Sequence, residues 1–353
     1  MKKQKIAIAM SGGVDSSVAA ALIARAGAEA AGITMCLALP EKASGAAACC
    51  GPQAISDAAR VCGLLGIPHY VLNFGAELEK KVIGDFIREY GRGRTPNPCV
   101  RCNELVKFEA LLNKARGLGF DALATGHYAR VLTRGGKKFL AKATDPAKDQ
   151  SYFLYRLTQE KLRRLAFPLG ALTKPEVRQI ARGLSLPVAE KKESQEICFI
   201  PGDYRAFLEA RGIRGAGPGD IVERSGKVVG RHRGIPYYTI GQRNVGVARG
   251  YPVYVSEIDA RNNRIVVEGK EALLKREFTV SELVFPSGMP RKKIFMARIR
   301  HLSREARAEV KFLGDTLRAR FAEPQFAITP GQSAVFYDGD LVRCGGIIDK
   351  VIK

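Results

Sequence analysis

The chain has 353 residues, of which 46% are hydrophobic and 26% charged. That excludes a disordered or fibrous protein, and the length exceeds one ordinary core, so two or three domains are expected. Lys and Arg number 57 against 35 Asp and Glu, a net charge of +22, which favours a polyanionic partner, nucleic acid first, over a basic surface kept for solubility.

No apolar run reaches the ~18 residues of a membrane span. The start, M-K-K-Q-K-I-A-I-A-M, leads into S-G-G-V-D and not into a signal-peptide core, so no membrane association and a cytoplasmic location are expected. The eight cysteines are Cys36, Cys49, Cys50, Cys62, Cys99, Cys102, Cys198 and Cys344. In that setting they are catalytic, metal-binding or buried thiols and not stable disulfides.

Strand-like and helix-like runs alternate along the first half. Lys5 to Met10 is a short apolar strand, Asp15 to Arg25 an alanine-rich helix, and Ala30 to Leu37 a second strand. Ser56 to Leu65 is helical, His69 to Asn73 a strand, and Leu78 to Tyr90 an amphipathic helix. Phe108 to Gly117 is another helix, and Asp121 to Gly126 a strand ending in a glycine turn. This order predicts a parallel sheet with helices on both faces. Near Pro201 the pattern changes to glycine-rich short alternating runs, such as Val228 to Arg231 and Tyr251 to Glu257. Alternation continues from Phe278, with a hairpin signal at Asp338-Gly339. The expected fold is α/β: a parallel-sheet catalytic domain over 1–202, a small β-rich central domain over 203–274, and a C-terminal antiparallel β-barrel over 275–353.

The stretch S-G-G-V-D-S-S, Ser11 to Ser17, joins the first strand to the first helix, at a strand's carboxyl end where ligands bind. Gly12 and Gly13 allow a tight turn that brings N–H groups to an anion, and the helix start adds its positive end. Ser11, Ser16 and Ser17 offer hydroxyls. Asp15 adds negative charge, which Mg²⁺ coordination or helix capping accounts for. The loop lacks the Walker lysine and the third glycine of a dinucleotide fingerprint. It looks like the loop of ATP pyrophosphatases, which split ATP into AMP and pyrophosphate.

Further stretches narrow the resemblance: A-M-S-G-G-V-D-S-S-V, G-R-T-P-N-P-C-V-R-C-N, A-T-G-H-Y-A-R, K-D-Q-S-Y-F-L, S-Q-E-I-C-F-I and Y-T-I-G-Q-R. In this order, over nearly the whole chain, they resemble the tRNA-specific 2-thiouridylase family of the MnmA type. The resemblance implies a pyrophosphatase-loop domain, a central domain and a β-barrel. It also implies an ATP-dependent sulfurtransferase that replaces O2 of the wobble uridine by sulfur. The implied ATP contacts are Ala9, Met10, Ser11, Gly12, Gly13, Val14, Asp15, Ser16, Met35 and Gly126, with Mg²⁺. The implied nucleophile is Cys102, and the implied persulfide carrier is Cys198, loaded by a donor such as a cysteine desulfurase or sulfur-relay protein. A Cys102–Cys198 disulfide is the by-product. Arg101 and Lys107 flank Cys102 and are expected to lower its pKa.

For the tRNA, the resemblance implies contacts at Asn97, Pro98, Cys99, His127, Lys148, Asp149, Gln150, Arg300 and His301. Many members carry Asp where this chain has Cys99. Cys99, Cys102 and Cys198 would make three thiolates, enough for a [4Fe–4S] cluster with one open iron; zinc is disfavoured because no second C-x-x-C exists. Cys49 and Cys50 are accessory sulfur carriers or unreactive. Two other readings compete. An amide-forming ligase of the argininosuccinate or GMP synthetase type needs neither paired cysteines nor RNA. A non-catalytic RNA-binding protein does not need the intact Ser11–Ser17 loop.

Overall fold

The computed structural model describes residues 3–37, 51–192, 197–200, 202–213, 217–247 and 249–352. Cys49 and Cys50 lie outside the described residues. The first half carries strands β1 (Lys5–Met10), β2 (Glu29–Cys36), β3 (His69–Asn73), β4 (Ala122–Ala124), β5 (Arg130–Arg134), β6 (Lys137–Ala141) and β7 (Leu165–Ala166). Five of them form a wholly parallel sheet in the order β3-β2-β1-β4-β7. Successive residues of β1 serve opposite faces. Ala7 joins a core with Phe86, Phe108 and Tyr152, while Ile6, Ile8 and Met10 join one with Val18 and Ala19 of helix α1 (Val14–Arg25) and Val61 of helix α2 (Pro52–Leu64). Strand order runs outward from β1 in both directions, so the crevice where ligands bind such sheets opens between β1 and β4.

The helix expected over Phe108 to Gly117 begins much earlier. It starts at Pro98–Arg101, widens into a π-helical stretch over Cys102–Leu111 and ends as Leu112–Gly117. Pro98 is pre-set for a first helical position, and Asn97 Oδ1 accepts from the Val100 N–H at 3.3 Å. The Pro-Asn-Pro turn therefore launches the helix, and both cysteines of the C-x-x-C pair ride on it.

The middle of the chain forms β8 (Gly219–Glu223), β9 (Val228–His232), β10 (Tyr254–Asp259) and β11 (Arg264–Glu268), ordered β10-β11-β8-β9 around Ile221, Val255 and Ile265. The last part forms β12 (Leu274–Val284), β13 (Ile294–Arg298), β14 (Ala306–Leu313), β15 (Thr316–Phe326), β16 (Ser333–Asp338) and β17 (Leu341–Ile352). Their order is β12-β15-β14-β13-β16-β17, and β17 pairs back to β12, closing a six-stranded antiparallel barrel. Asp338-Gly339 leads the hairpin from β16 into β17.

The first half and the barrel share contacts. The hairpin β5–β6, from the first half, joins the barrel sheet through β6 and β17, with Ala141 opposite Leu341. Nearby, the Tyr152 hydroxyl donates to the Ser333 carbonyl at 2.9 Å, and Ser333 Oγ donates to the Tyr155 hydroxyl at 3.2 Å. Gly345 lies flat against the Tyr155 ring, where a Cβ would overlap it.

Candidate active site

At the nucleotide end, Gly12 sits at φ +68, and a Cβ there would strike the Ala54 backbone. Only glycine fits both conditions. A Cβ on Gly126, just after β4, would lie 2.8 Å from the Asp15 carbonyl carbon and the Ser16 nitrogen, so β4 and the start of α1 touch backbone to backbone. Ser16 Oγ accepts from the Ser11 N–H at 3.2 Å and donates to the Gly13 carbonyl at 3.1 Å. Gly13 caps α1 with no side-chain bond, which leaves first-turn N–H groups for a ligand. Met35, near the end of β2, lies on the same carboxyl edge of the sheet.

Asp15 does not cap the helix. Its carboxylate accepts from Lys174 Nζ at 2.7 and 2.9 Å and from the Tyr128 hydroxyl at 2.8 Å. Lys174 is buried at 8% exposure, and its backbone N–H donates to Asp145 Oδ2 at 2.9 Å. A second lysine, Lys191, donates to the Gly12 carbonyl at 2.9 Å and to Asp57 Oδ2 at 2.7 Å. The Lys191 bond holds the Asp57 carboxyl below its ordinary pKa. Two lysines from far along the chain thus meet the loop, where no local spacing marks them. The one available signal was T-K-P-E at Thr173 to Glu176, a helix-start signature that places Lys174 in a first turn.

At the thiol end, the approach to the cysteine helix is clamped by the barrel. The Thr95 N–H donates to the Pro330 carbonyl at 3.0 Å, Gln332 Nε2 donates to the Thr95 carbonyl at 2.9 Å, and Arg94 pairs with Asp349 at 2.9 Å. Cys99 is half-buried, Cys102 buried and Cys198 exposed. Burial is the main cause that raises the pKa of Cys99 and Cys102, and the charge of Cys198, remote from them in sequence, adds to it in both, so Cys198 lies within electrostatic reach of the pair. Burial pushes Cys99 up to about 11 and raises Cys102 too, while Lys107 pulls against it in both. The expectation that basic neighbours lower the Cys102 pKa is therefore corrected: desolvation outweighs them. Arg101 gives Cys102 no help, because its guanidinium faces Glu282 at 2.7 Å, Glu104 at 3.3 Å and Asp85 at 3.4 Å.

His127 joins the two ends. It follows Gly126, bonds Thr125 Oγ1 through Nδ1 at 2.7 Å, and packs on Phe108 and Phe167 with centroids 5.5 and 6.0 Å away. Burial, then the Lys107 charge, holds its pKa well below 6.5, so the ring is neutral at pH 7. Lys107 therefore acts on Cys99, Cys102 and His127 together. Among the described residues no three His, Cys, Asp or Glu side chains converge closely enough to hold a metal ion. Cys99, Cys102 and Cys198 as placed do not form the donor set an iron–sulfur cluster needs.

The expected RNA contacts divide. Asn97 is taken by helix capping, and Pro98 is buried. Lys148 is half-buried. Asp149 is 3% exposed and accepts from Ala143 N, Ser151 N, Ser151 Oγ and Arg298 at 2.9–3.1 Å. Its carboxylate is engaged inside the fold. Gln150 Oε1 accepts from the Tyr128 N–H at 2.9 Å. Arg300 is likewise turned inward, donating to the Ala327 carbonyl and to Thr329 Oγ1 at 2.7 Å. The His301 ring packs on Phe153 at 4.3 Å. A short matching stretch fixes where these residues lie, but not which way their side chains turn.

Three family models cover the chain in order. Residues 4–202 match a tRNA methyl transferase HUP domain, 205–269 a tRNA methyl transferase PRC-barrel domain, and 275–348 an aminomethyltransferase beta-barrel domain. A tRNA-specific 2-thiouridylase MnmA of Geobacter metallireducens is 49% identical over 99% of this chain and 98% of its own length. The chain belongs to the MnmA family of tRNA-specific 2-thiouridylases. Another member, MnmA 1 of Syntrophus aciditrophicus, is 47% identical over 99% of this chain and 94% of its own. Such coverage means that all three parts of the MnmA chain are present. Among solved structures, a 4-thiouridine synthetase–RNA complex with bound ATP aligns over 55% of this chain and 44% of its own, with TM-score 0.34 and 17% identity.

Proposed function

We propose that this protein 2-thiolates the wobble uridine of tRNA in the cytoplasm, activating O2 with ATP and delivering sulfur through Cys198 and Cys102. The observation that carries the reading is a helix that bears Cys99 and Cys102 and meets the nucleotide end through Phe108 and His127, with Cys198 within electrostatic reach of both thiols. In this reading residues 1–202 do the chemistry, 203–274 connect, and 275–353 receive the tRNA.

A pyrimidine O2 is a poor leaving group, and ATP supplies AMP in its place. Residues Ala9 to Ser16, with Met35 and Gly126, would hold the nucleotide. Lys174 and Lys191, paired here with Asp15 and Asp57, would turn to the phosphates when ATP binds, and Asp15, released from Lys174, would be the loop's carboxylate for Mg²⁺. The sulfur donor transfers a sulfane sulfur to Cys198, giving a persulfide. Cys102 attacks the inner sulfur, forms a Cys102–Cys198 disulfide and releases hydrosulfide. Hydrosulfide adds to C2 and AMP departs with O2. A two-electron reductant then returns both thiols. The field of Lys107 favours the thiolate at each stage.

The test is direct: supply ATP, sulfide or persulfide and unmodified tRNA, then assay 2-thiouridine and pyrophosphate. Cys198→Ser should abolish persulfide-dependent thiolation while pyrophosphate release survives; a fully active Cys198→Ser protein would overturn the sulfur assignment. A [4Fe–4S] cluster on Cys99, Cys102 and Cys198 would need these thiols, which do not converge on one point here, to move together. Anaerobic purification with iron and acid-labile sulfide assays tests it, and full activity of iron-free protein rules it out.

A further inference from the structure

On the turn between β13 and β14 one apolar side chain is held out in water. Leu302 is 91% exposed, against 65% for Leu64, the next most exposed large apolar residue among those described. A single exposed leucine needs no explanation; the scaffolding around this one does. The Arg300 N–H donates to Ser303 Oγ at 3.3 Å, and Ser303 N and Oγ donate back to the Arg300 carbonyl at 3.2 and 2.9 Å. These bonds close a turn with Leu302 at its tip. Both stems are pinned. Arg298 pairs with Asp149 at 3.0 Å and Glu305 at 2.9 Å, and the Arg300 guanidinium is tied to Ala327 and Thr329. Behind the tip, His301 lies on Phe153, and its Nδ1 is buried with no hydrogen-bond partner among the described residues. The Phe153 carbonyl accepts from Asn103 at 3.3 Å, and Asn103 adjoins Cys102. The turn is therefore linked through His301 and Phe153 to the helix that carries Cys102, and it is already ordered, so little entropy remains to be lost when it engages a partner.

We propose that Leu302 is the wedge that fills the anticodon-loop stack when the wobble base leaves it. The proposal rests on the thiolation reading. Sulfur must reach C2 while AMP departs from O2, which a stacked base does not allow. Unstacking leaves a gap between the neighbouring bases, and an apolar side chain of this size fills such a gap. Arg304, exposed on the same turn, offers charge to the RNA backbone. Arg300 and His301 then act as the scaffold that presents Leu302.

The test uses the full chain, unmodified tRNA, ATP and a persulfide source in single-turnover thiolation. A second tRNA carries 2-aminopurine on the 3′ side of the wobble base. Leu302→Ala should slow thiolation about 10- to 100-fold and lose the fluorescence rise on binding, whereas Leu302→Met should keep both. The tRNA Kd and its salt slope should stay close to wild type. A Leu302→Ala protein with wild-type rate and fluorescence, or one whose whole defect lies in Kd, overturns the wedge. A wild-type protein that makes no 2-thiouridine overturns the thiolation reading instead, so the two failures are separable.

Discussion

Lys107 reaches three groups of the site with one charge, and its removal should be felt at each. Lys107→Gln should raise the Cys99 and Cys102 pKa values further and slow alkylation of Cys102 at pH 8 several-fold, while the His127 pKa moves up. An unchanged alkylation rate would show that Lys107 does not govern the thiols. Burial also fixes the pH sign. Cys62 and Cys99 are raised from 9.0 to about 11, so above pH 9 the unfolded chain gives up protons that the folded chain keeps. Stability from these groups is complete below pH 9 and falls as pH climbs to about 11. Denaturant midpoints at pH 8 and pH 10.5 should show the drop, and Cys62→Ala should lessen it. At the other end, Lys174→Gln leaves Asp15 without its cation and should raise the KM for ATP or slow pyrophosphate release at least tenfold. Normal ATP kinetics in that variant would remove Lys174 from the nucleotide site.

Beyond the clamp at Arg94 and Thr95, one more barrel residue grips the cysteine helix itself. Glu282, in β12, sits at φ +50, a conformation that costs a non-glycine residue about 1 kcal/mol or more. Its carboxylate accepts from Arg101, and its carbonyl accepts from Arg156 at 3.1 Å. Glu282→Gly should relieve the backbone yet lose the grip on Arg101. Glu282→Gln should keep the strain and weaken the grip. If the ion pair positions the thiols, both variants slow thiolation, and only the glycine variant gains in melting temperature; a fully active Glu282→Gly protein would show the contact to be incidental. Elements of this kind mark how far the sequence could be read. Lys5 to Met10 and His69 to Asn73 were legible because apolar runs between turn signals state their own structure. The start of the cysteine helix was misplaced because Pro98 reads as a breaker unless its cap at Asn97 is noticed. Lys191 and the inward turn of Arg300 were invisible, and Lys174 was marked only as a first-turn residue, since each depends on a partner brought near only by the fold.

Across the whole molecule, charge and closure set what can be measured. The +22 excess should make tRNA binding steeply salt-dependent, with a log–log slope of ~0.7–0.9 per contacted phosphate. A flat response between low and moderate salt would contradict a phosphate-dominated interface. The joint at Gly345 is tight enough that Gly345→Ala should cost about 1–3 kcal/mol through overpacking on Tyr155, read as an earlier denaturant midpoint. The β5–β6 hairpin carries the larger lesson. Its last residue, Ala141, pairs with Leu341 near the far end of the polypeptide, so a version stopping near residue 202 would lose that mate and also lay bare Tyr152 and Tyr155, whose hydroxyls and rings lean on Ser333 and Gly345, leaving a sticky apolar face. Anyone wishing to study the thiol chemistry in isolation should expect insoluble material, and would do better to leave the gene whole.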